Sequence, residues 1–385
     1  MIIQPKIRGF ICTTAHPKGC AQAVTEQINY VTKQPALTGL KRVLIIGAST
    51  GYGLASRIVT AFGMQAQTIG VAYEKAADQK RTASPGWYNT MAFEQAAHAK
   101  ALYAKSINGD AFSQAIKQET AALIKQDLGQ IDCVIYSLAS PRRTDPADVT
   151  HSSVLKPIDT AYTGKTVDAF SGEIKEITLP PATVEEINAT VAVMGGDDWA
   201  IWINYLRQEN LLAEGFITFA YSYIGPELTY PIYKNGTIGR AKDHLKQTAD
   251  ALNLTLAPCH GQARVVVNKA LVTQASAAIP VVPLYISLLY KLMKDNGTHE
   301  GCIEQMYRLF KNYAYDLRHS DKNSFIRLDN YEMAADIQAQ VRKYWPLITT
   351  DNLESMTDIQ GYRQAFYQLF GFGFKNIDYT VDCEI

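Results

Sequence analysis

The sequence predicts an α/β protein: a Rossmann-type, doubly wound, mainly parallel sheet with an N-terminal hairpin and an inserted lid. Three observations predict it. Residues 43–54, VLIIGASTGYGL, read as a buried strand, a glycine turn and a helix start. Further strand-like runs alternate with helical stretches along most of the chain, which is the pattern of βαβ units feeding a parallel sheet. The alternation is interrupted between 142 and 182, where Thr, Asp, Pro and Gly are concentrated.

The glycine turn is the most informative stretch. Val43, Leu44, Ile45 and Ile46 form a short continuous apolar run, as expected of a strand covered on both faces. Gly47, Gly51 and Gly53 follow at GxxxGxG spacing, with Ala48 between them and Ser49 and Thr50 as hydroxyl donors. A pyrophosphate can approach a backbone only where no Cβ intervenes, and the N–H groups of a helix start can then point at it. The spacing is not GxGxxG; it is similar to the variant used by short-chain dehydrogenases. The alternative is an ordinary tight strand-to-helix turn.

Taken in order, residues 1–15 suggest an extended hairpin punctuated by Pro5 and Gly9, and 20–33 a helix. The helix after Gly53 should end near Gly63. QTIGVAY, 67–73, is the second strand, with Tyr73 at its end and Glu74 just beyond. An acid there accepts the ribose hydroxyls of an adenine dinucleotide and repels a 2′-phosphate, so it argues for NADH over NADPH; otherwise it is a solvated loop acid. Residues 76–90 look like a loop and 91–100 a helix. Strand three is 102–107, and Asp110 follows in a turn, either meeting an adenine amino group or serving as turn chemistry. A helix over 112–128 leads to strand four, 131–136, and to SLASP, small residues at a strand's carboxyl end. The insertion at 142–182 should hold a small hairpin and cover the site. A long helical stretch, 184–214, breaks at Gly195 and Gly196. Strands five and six are 215–222 and 264–273, with a helix to about 252 between them. Residues 278–294 are apolar with Pro280 and Pro283 forcing an irregular start; helices over 297–310 and 331–344 and an aromatic terminal helix complete the chain. With no repeat or linker, one domain spanning 1–385 is the simplest organisation.

Composition narrows the partners. Lys+Arg and Asp+Glu are both 37, so zero net charge gives no support for nucleic acid or an anionic membrane. No apolar run is long enough to span a bilayer, and the N-terminus lacks the apolar core of a signal peptide. Six scattered cysteines without a CxxC suit a reducing cytosol, hence a cytoplasmic protein. Cys12, His16 and Cys20 lack a fourth ligand, so no metal is expected.

The remaining pointer is Tyr233 and Lys242. A phenol is a poor proton donor at neutral pH unless tuned, and a nearby ammonium lowers its pKa. Nine residues of continuous helix turn through about 900°, so the two can meet only if Tyr233 precedes the helix. Asn235 and Gly236 signal a turn and Thr237 is a plausible N-cap. Taken alone, the pair reads equally as a packed Tyr and a surface Lys.

Tyr233–x8–Lys242, the GASTGYG turn, FICTTAHP, YAKSINGDAF, YSLASPRR, AYSYIGPELT, VTQASAAIP, MKDNGTHEGCIEQ and QLFGFGF together resemble the type V enoyl-acyl-carrier-protein reductases and their relatives, the trans-2-enoyl-CoA reductases. The resemblance spans essentially the whole chain. It implies Tyr233 as the active-site tyrosine, kept acidic by Lys242, and Lys242 as the lysine on the nicotinamide ribose. Tyr223 is implied as a substrate contact. Gly47, Ala48, Ser49, Thr50, Gly51 and Tyr52 are implied as the pyrophosphate turn, with Tyr52 stacking near the adenine. Tyr73, Glu74, Asp110, Ala111, Leu138 and Ala139 are implied as adenosine and nicotinamide contacts, and Leu271, Val272 and Thr273 as neighbours of the nicotinamide amide. The helix at 278–294 is implied to shape an acyl pocket. The activity implied is NADH-dependent reduction of enoyl thioesters, on coenzyme A or acyl-carrier protein, by a monomer. A short-chain-type carbonyl reductase and a non-catalytic NADH sensor are the rival readings.

Overall fold

The computed structural model describes residues 1–316 and 325–384. The chain opens with the expected hairpin, β1 (Ile7–Arg8) on β2 (Ile11–Cys12). Helix α1 (Pro17–Thr32) follows; His16 caps it, its Nδ1 accepting from the Gly19 N–H at 3.2 Å. The alternation then runs β3 (Arg42–Ile46), α2 (Gly51–Ile58) extended by a π turn over Val59–Gly63, β4 (Gln67–Ala72), α3 (Pro85–His98), β5 (Ala104–Asn108), α4 (Gln114–Asp127) and β6 (Ile131–Tyr136). The insertion holds two hairpins rather than one: β7 (Arg142–Thr144) with β8 (Thr150–Ser152), and β9 (Tyr162–Val167) with β10 (Ile174–Leu179). Next come α5 (Val184–Met194), α6 (Asp197–Gln208), β11 (Leu212–Ser222), α7 (Thr237–Leu256), β12 (Gln262–Val267), α8 (Gln274–Ala277), α9 (Val282–Asp295), α10 (Cys302–Asp316), β13 (Phe325–Arg327), α11 (Ala335–Tyr344), α12 (Leu353–Met356) and α13 (Ile359–Gln368).

Seven strands form one parallel sheet in the order β13-β12-β11-β6-β3-β4-β5. The chain winds outward from β3 in both directions, so β3 and β6 flank the switch point where open α/β sheets bind ligands. Val43 and Ile45 face one helical layer; Leu44 and Ile46 face the other. Residues 43–46 of β3 are therefore all apolar because both faces are covered there. A third apolar cluster surrounds α9, walled by α11, α13 and Val167 of β9. The buried pair Lys117–Asp198, at 2.8 Å, pins α4 to α6 on one face.

Several boundaries differ from the sequence expectation. Helix α3 starts at Pro85, inside the supposed loop, because proline fits the first helical position where no N–H is needed. The sixth strand stops at Val267, not 273; beyond it the backbone is held by side chains rather than by a ladder. Residues 212–214 join β11 instead of ending a helix. Helix α10 begins at Cys302 and α11 at Ala335, both later than expected. Strand β13 was not expected, since three residues carry no readable alternation. Between Pro280 and Pro283, Val281 sits at φ +70°, a conformation a β-branched residue rarely takes, and this marks the irregular start of α9.

Candidate active site

Strand β3 delivers its glycine turn against the end of β6. Gly47 has φ +88°, and a Cβ there would collide with the Ser137 carbonyl. The Ser137 N–H in turn bonds the Ile46 carbonyl at 2.8 Å. Gly53 lets the first turn of α2 rest on the Gly47 carbonyl, a second approach that no side chain permits. Space at Gly51 is open: the atom nearest to a Cβ there is Thr273 Cγ2 at 3.9 Å. No side chain caps the start of α2, because Thr50 makes no capping bond. The result is a helix N-terminus with a bare glycine floor, facing Leu138 on one side and Thr273 on another.

Glu74 comes directly to this turn. Its Oε1 accepts from Ser49 Oγ at 2.6 Å and its Oε2 from Ser84 Oγ at 2.5 Å, beside the Cα of Gly86. Asn108 holds the Glu74 backbone at both ends, accepting its N–H at 2.7 Å and donating to its carbonyl at 2.9 Å. Asn89 donates to the Ser49 carbonyl at 3.1 Å, so α3 braces the turn from behind. Asp110 Oδ1 accepts the Phe112 N–H at 2.9 Å, while the Ala111 carbonyl takes bonds from Trp202 Nε1 and Lys117 Nζ. Tyr73 is exposed. The Tyr52 ring meets Tyr221 edge-on and its hydroxyl donates to the Lys269 carbonyl at 2.8 Å. It leans toward the ends of β11 and β12, which provide its apolar and polar partners.

The carboxyl ends of β11 and β12 supply the opposite wall. Tyr233 lies in the turn before α7, so it precedes the helix as the spacing requires. Gly236, not Thr237, is the N-cap; the Thr237 hydroxyl instead donates to the Val154 carbonyl at 2.6 Å, tying α7 to the insertion. Tyr233 is buried and its ring meets Tyr223 edge-on, centroids 5.0 Å apart. Among the described residues, none hydrogen-bonds to the Tyr233 hydroxyl or the Lys242 ammonium. Loss of water lowers Lys242 to about 8 and pushes the Tyr233 phenol up. Burial alone accounts for the direction of the Tyr233 shift, with no contribution from Lys242, and a protonated Tyr233 is a hydrogen-bond donor. Leu271 and Val272 are buried beside this wall, the Val272 N–H bonding Tyr290 Oη at 3.1 Å, and Thr273 caps α8. An apolar cleft of about 350 Å³ opens where Thr166, Phe170, Ala277, Pro280 and Phe366 meet. A shallower hollow of about 500 Å³ lies along β5, α3 and α4, at the sheet edge, with none of the residues above in its lining.

Residues 81–315 match a family model described as the trans-2-enoyl-CoA reductase catalytic region, and residues 2–79 one described as the NAD(P)H binding domain of trans-2-enoyl-CoA reductase. The chain belongs to the trans-2-enoyl-CoA reductase family. It is 60% identical to an enoyl-acyl-carrier-protein reductase (NADH) of Coxiella burnetii, over 100% of this chain and 96% of that protein. A Flavobacterium johnsoniae protein of the same description is also 60% identical, over 99% and 97%. Among solved structures, the trans-2-enoyl-CoA reductase of Treponema denticola in complex with NAD superimposes with a TM-score of 0.95 at 48% identity, covering 100% of this chain and 98% of that one. The Clostridium acetobutulicum enzyme in complex with NADH gives 0.95 at 40% identity, with the same coverage.

The family's dinucleotide fits the residues present. The bare helix start at Gly47–Gly53 suits a pyrophosphate, and the Glu74 carboxylate, with lone pairs left beyond its two serine bonds, suits ribose hydroxyls. Residues 320–383 match a third model, described as an enoyl reductase FAD binding domain. The described part of that segment does not fit a flavin. Its one strand, β13, is an edge of the central sheet with no glycine turn after it. The apolar faces of α11 and α13 are spent on α9, Gly361 backs onto the Asp358 carboxylate and Gly371 onto His16 and Cys20.

Five residues around the site escaped the sequence reading: Ser84, Asn89, Lys269, Gln305 and Glu332. Ser84 had a signal, since Ser-Pro-Gly announces a helix start. The others act across 36 to 253 residues of chain and carry no local pattern.

Proposed function

We propose that this chain reduces the trans-2 double bond of enoyl thioesters with NADH, and that the residues assembled at the sheet's carboxyl edge carry out that reaction. The observation that carries the reading is that buried Tyr233 and half-buried Lys242 both lack a hydrogen-bond partner among the described residues, while the glycine turn leaves a bare helix start. NADH, when bound, supplies the hydride taken up at Cβ of the substrate. Gly47, Ala48, Ser49, Thr50, Gly51 and Tyr52 form the backbone floor for its pyrophosphate. Glu74 accepts from the adenosine ribose and sets its carboxylate against a 2′-phosphate. Asp110, Ala111, Leu138 and Ala139 line the adenosine-to-nicotinamide path, and Leu271, Val272 and Thr273 close it. Lys242 donates to the nicotinamide ribose hydroxyls.

Tyr233 donates a hydrogen bond to the thioester oxygen as enolate charge develops there. One such preorganised donor contributes roughly 3–4 kcal/mol of transition-state stabilisation. The Cα proton then comes from Tyr233 or from water through it. The cleft beside Ala277 and Pro280 gives the acyl chain an apolar path. The relatives are named for two carriers that share the phosphopantetheine arm, coenzyme A and acyl-carrier protein. The reading places the chain in fatty acid synthesis, as a monomer in the cytoplasm. It is supported there by six free cysteines and by the lack, among the described residues, of any helix long and apolar enough to cross a membrane.

The test is oxidation of NADH by crotonyl-CoA and by a long enoyl thioester, repeated with NADPH and with acetoacetyl-CoA. Turnover of enoyl thioesters with NADH, and far less with NADPH, is expected. Turnover of acetoacetyl-CoA alone would point to a carbonyl reductase. NADH binding without any oxidation would point to a sensor.

A further inference from the structure

Glu332 is a carboxylate sealed from water. Its Oε1 accepts the hydroxyls of Tyr223 at 2.9 Å and Tyr285 at 2.7 Å. Its Oε2 accepts the Ala270 N–H at 2.7 Å. Gln338 Nε2 holds the Glu332 carbonyl at 2.7 Å, and buried Lys269 supplies the opposing charge. Glu332 lies in the turn between β13 and α11, so none of these bonds closes a helix or a ladder. A fully buried carboxylate is costly unless each lone pair is used, and an apolar residue of similar volume is often the more stable choice. What this one grips is specific. Tyr223 packs edge-on against Tyr233, and Ala270 immediately precedes 271–273. The same stretch is tied back to the glycine turn: Gln305 bonds both the Lys269 N–H, at 3.1 Å, and Tyr52 Oη, at 3.0 Å.

We propose that Glu332 is a positioning residue for the reduction: it takes the Tyr223 proton away from the substrate and locks Tyr223 to the 270–273 segment, leaving Tyr233 as the donor to the thioester oxygen. This rests on the enoyl-thioester reading above. An amide that keeps the Ala270 bond with its oxygen turns its N–H groups on the tyrosine hydroxyls, which must then accept, so the Tyr223 proton is released from this grip.

The experiment compares the full-length wild type with E332Q, Y223F, E332Q/Y223F and Y285F, measuring kcat on crotonyl-CoA, NADH affinity by fluorescence and thermal melting. E332Q is expected to lower kcat about tenfold to a hundredfold, the range for losing a charge-assisted bond, with NADH affinity within about twofold. In the Y223F background the same change should add less than about twofold, because Glu332 acts through Tyr223. Y285F leaves the Tyr223 bond in place and should keep kcat within about threefold. Full multiplication of the E332Q and Y223F losses, or an equal loss in Y285F, would make Glu332 a packing residue and overturn the proposal. Should E332Q not fold, the contrast between Y223F and Y285F decides alone: a loss in the first only supports the role, and equal losses overturn it. A wild type inactive on every enoyl thioester overturns the enoyl-thioester reading, and this role with it.

Discussion

At the scale of single residues, the site is governed by desolvation. Tyr233 is buried and Lys242 half-buried, and neither has a hydrogen-bond partner among the described residues. No described protein group competes for their polar heads, so both are open to a ligand. A phenol raised by burial is a poor acid in the ground state. It is nevertheless a fixed donor whose bond strengthens as negative charge appears opposite it. The expected outcome of Tyr233→Phe is NADH binding unchanged by fluorescence and kcat down about a hundredfold to a thousandfold. Turnover surviving in that variant would remove Tyr233 from the chemistry.

At the scale of elements, the β3 turn and the start of α2 depend on close approach. The helix rests on the Gly47 carbonyl only because Gly53 has no side chain, and that contact aims the helix start at the space below Thr273. Gly53→Ala places a methyl group in that contact, and backbone on both sides cannot yield as a flexible side chain would. Overpacking of this kind costs about 1–3 kcal/mol. The prediction is a lowered melting temperature together with NADH affinity weakened at least about tenfold, read by titration, because a shift of even a fraction of an ångström misaims the helix N–H groups. Retained affinity would mean that the turn is not the cofactor floor.

At the scale of the whole molecule, two buried charges hold helices together on the face away from α9. Lys117 Nζ bonds Asp198 and the Ala111 and Phe112 carbonyls, while Tyr136 donates to the other oxygen of Asp198 at 3.0 Å. The cluster thereby fixes Ala111, one of the proposed adenosine contacts, to the core. Breaking a buried pair by removing one partner costs about 3–5 kcal/mol. Lys117→Met should lose that amount in denaturant unfolding at neutral pH. Burial already raises the Asp198 carboxyl above its ordinary range, and losing Lys117 raises it further. A carboxyl raised in the folded state stabilises while protonated and loses that contribution as pH rises through its folded value. The deficit of the variant relative to wild type should therefore shrink as the pH is lowered. A deficit constant with pH would mean that Asp198 is not left uncompensated.

The sequence by itself determined the sheet's core units and the first half of the site. Short apolar runs, glycine spacing and an acid after the second strand are local signals, and local chemistry reads them directly. The same holds for Tyr233 ahead of its helix, announced by Asn235 and Gly236. Only the tertiary structure decided the direction of the Tyr233 pKa, because desolvation is set by whatever packs around a side chain. It also decided where Tyr52 points, since the partners that draw it are Lys269 and Gln305, 217 and 253 residues away. Strand β13, the double hairpin of the insertion and Glu332 were invisible for a related reason. Each is short or solitary in the chain and gains its meaning from the neighbours that folding brings to it.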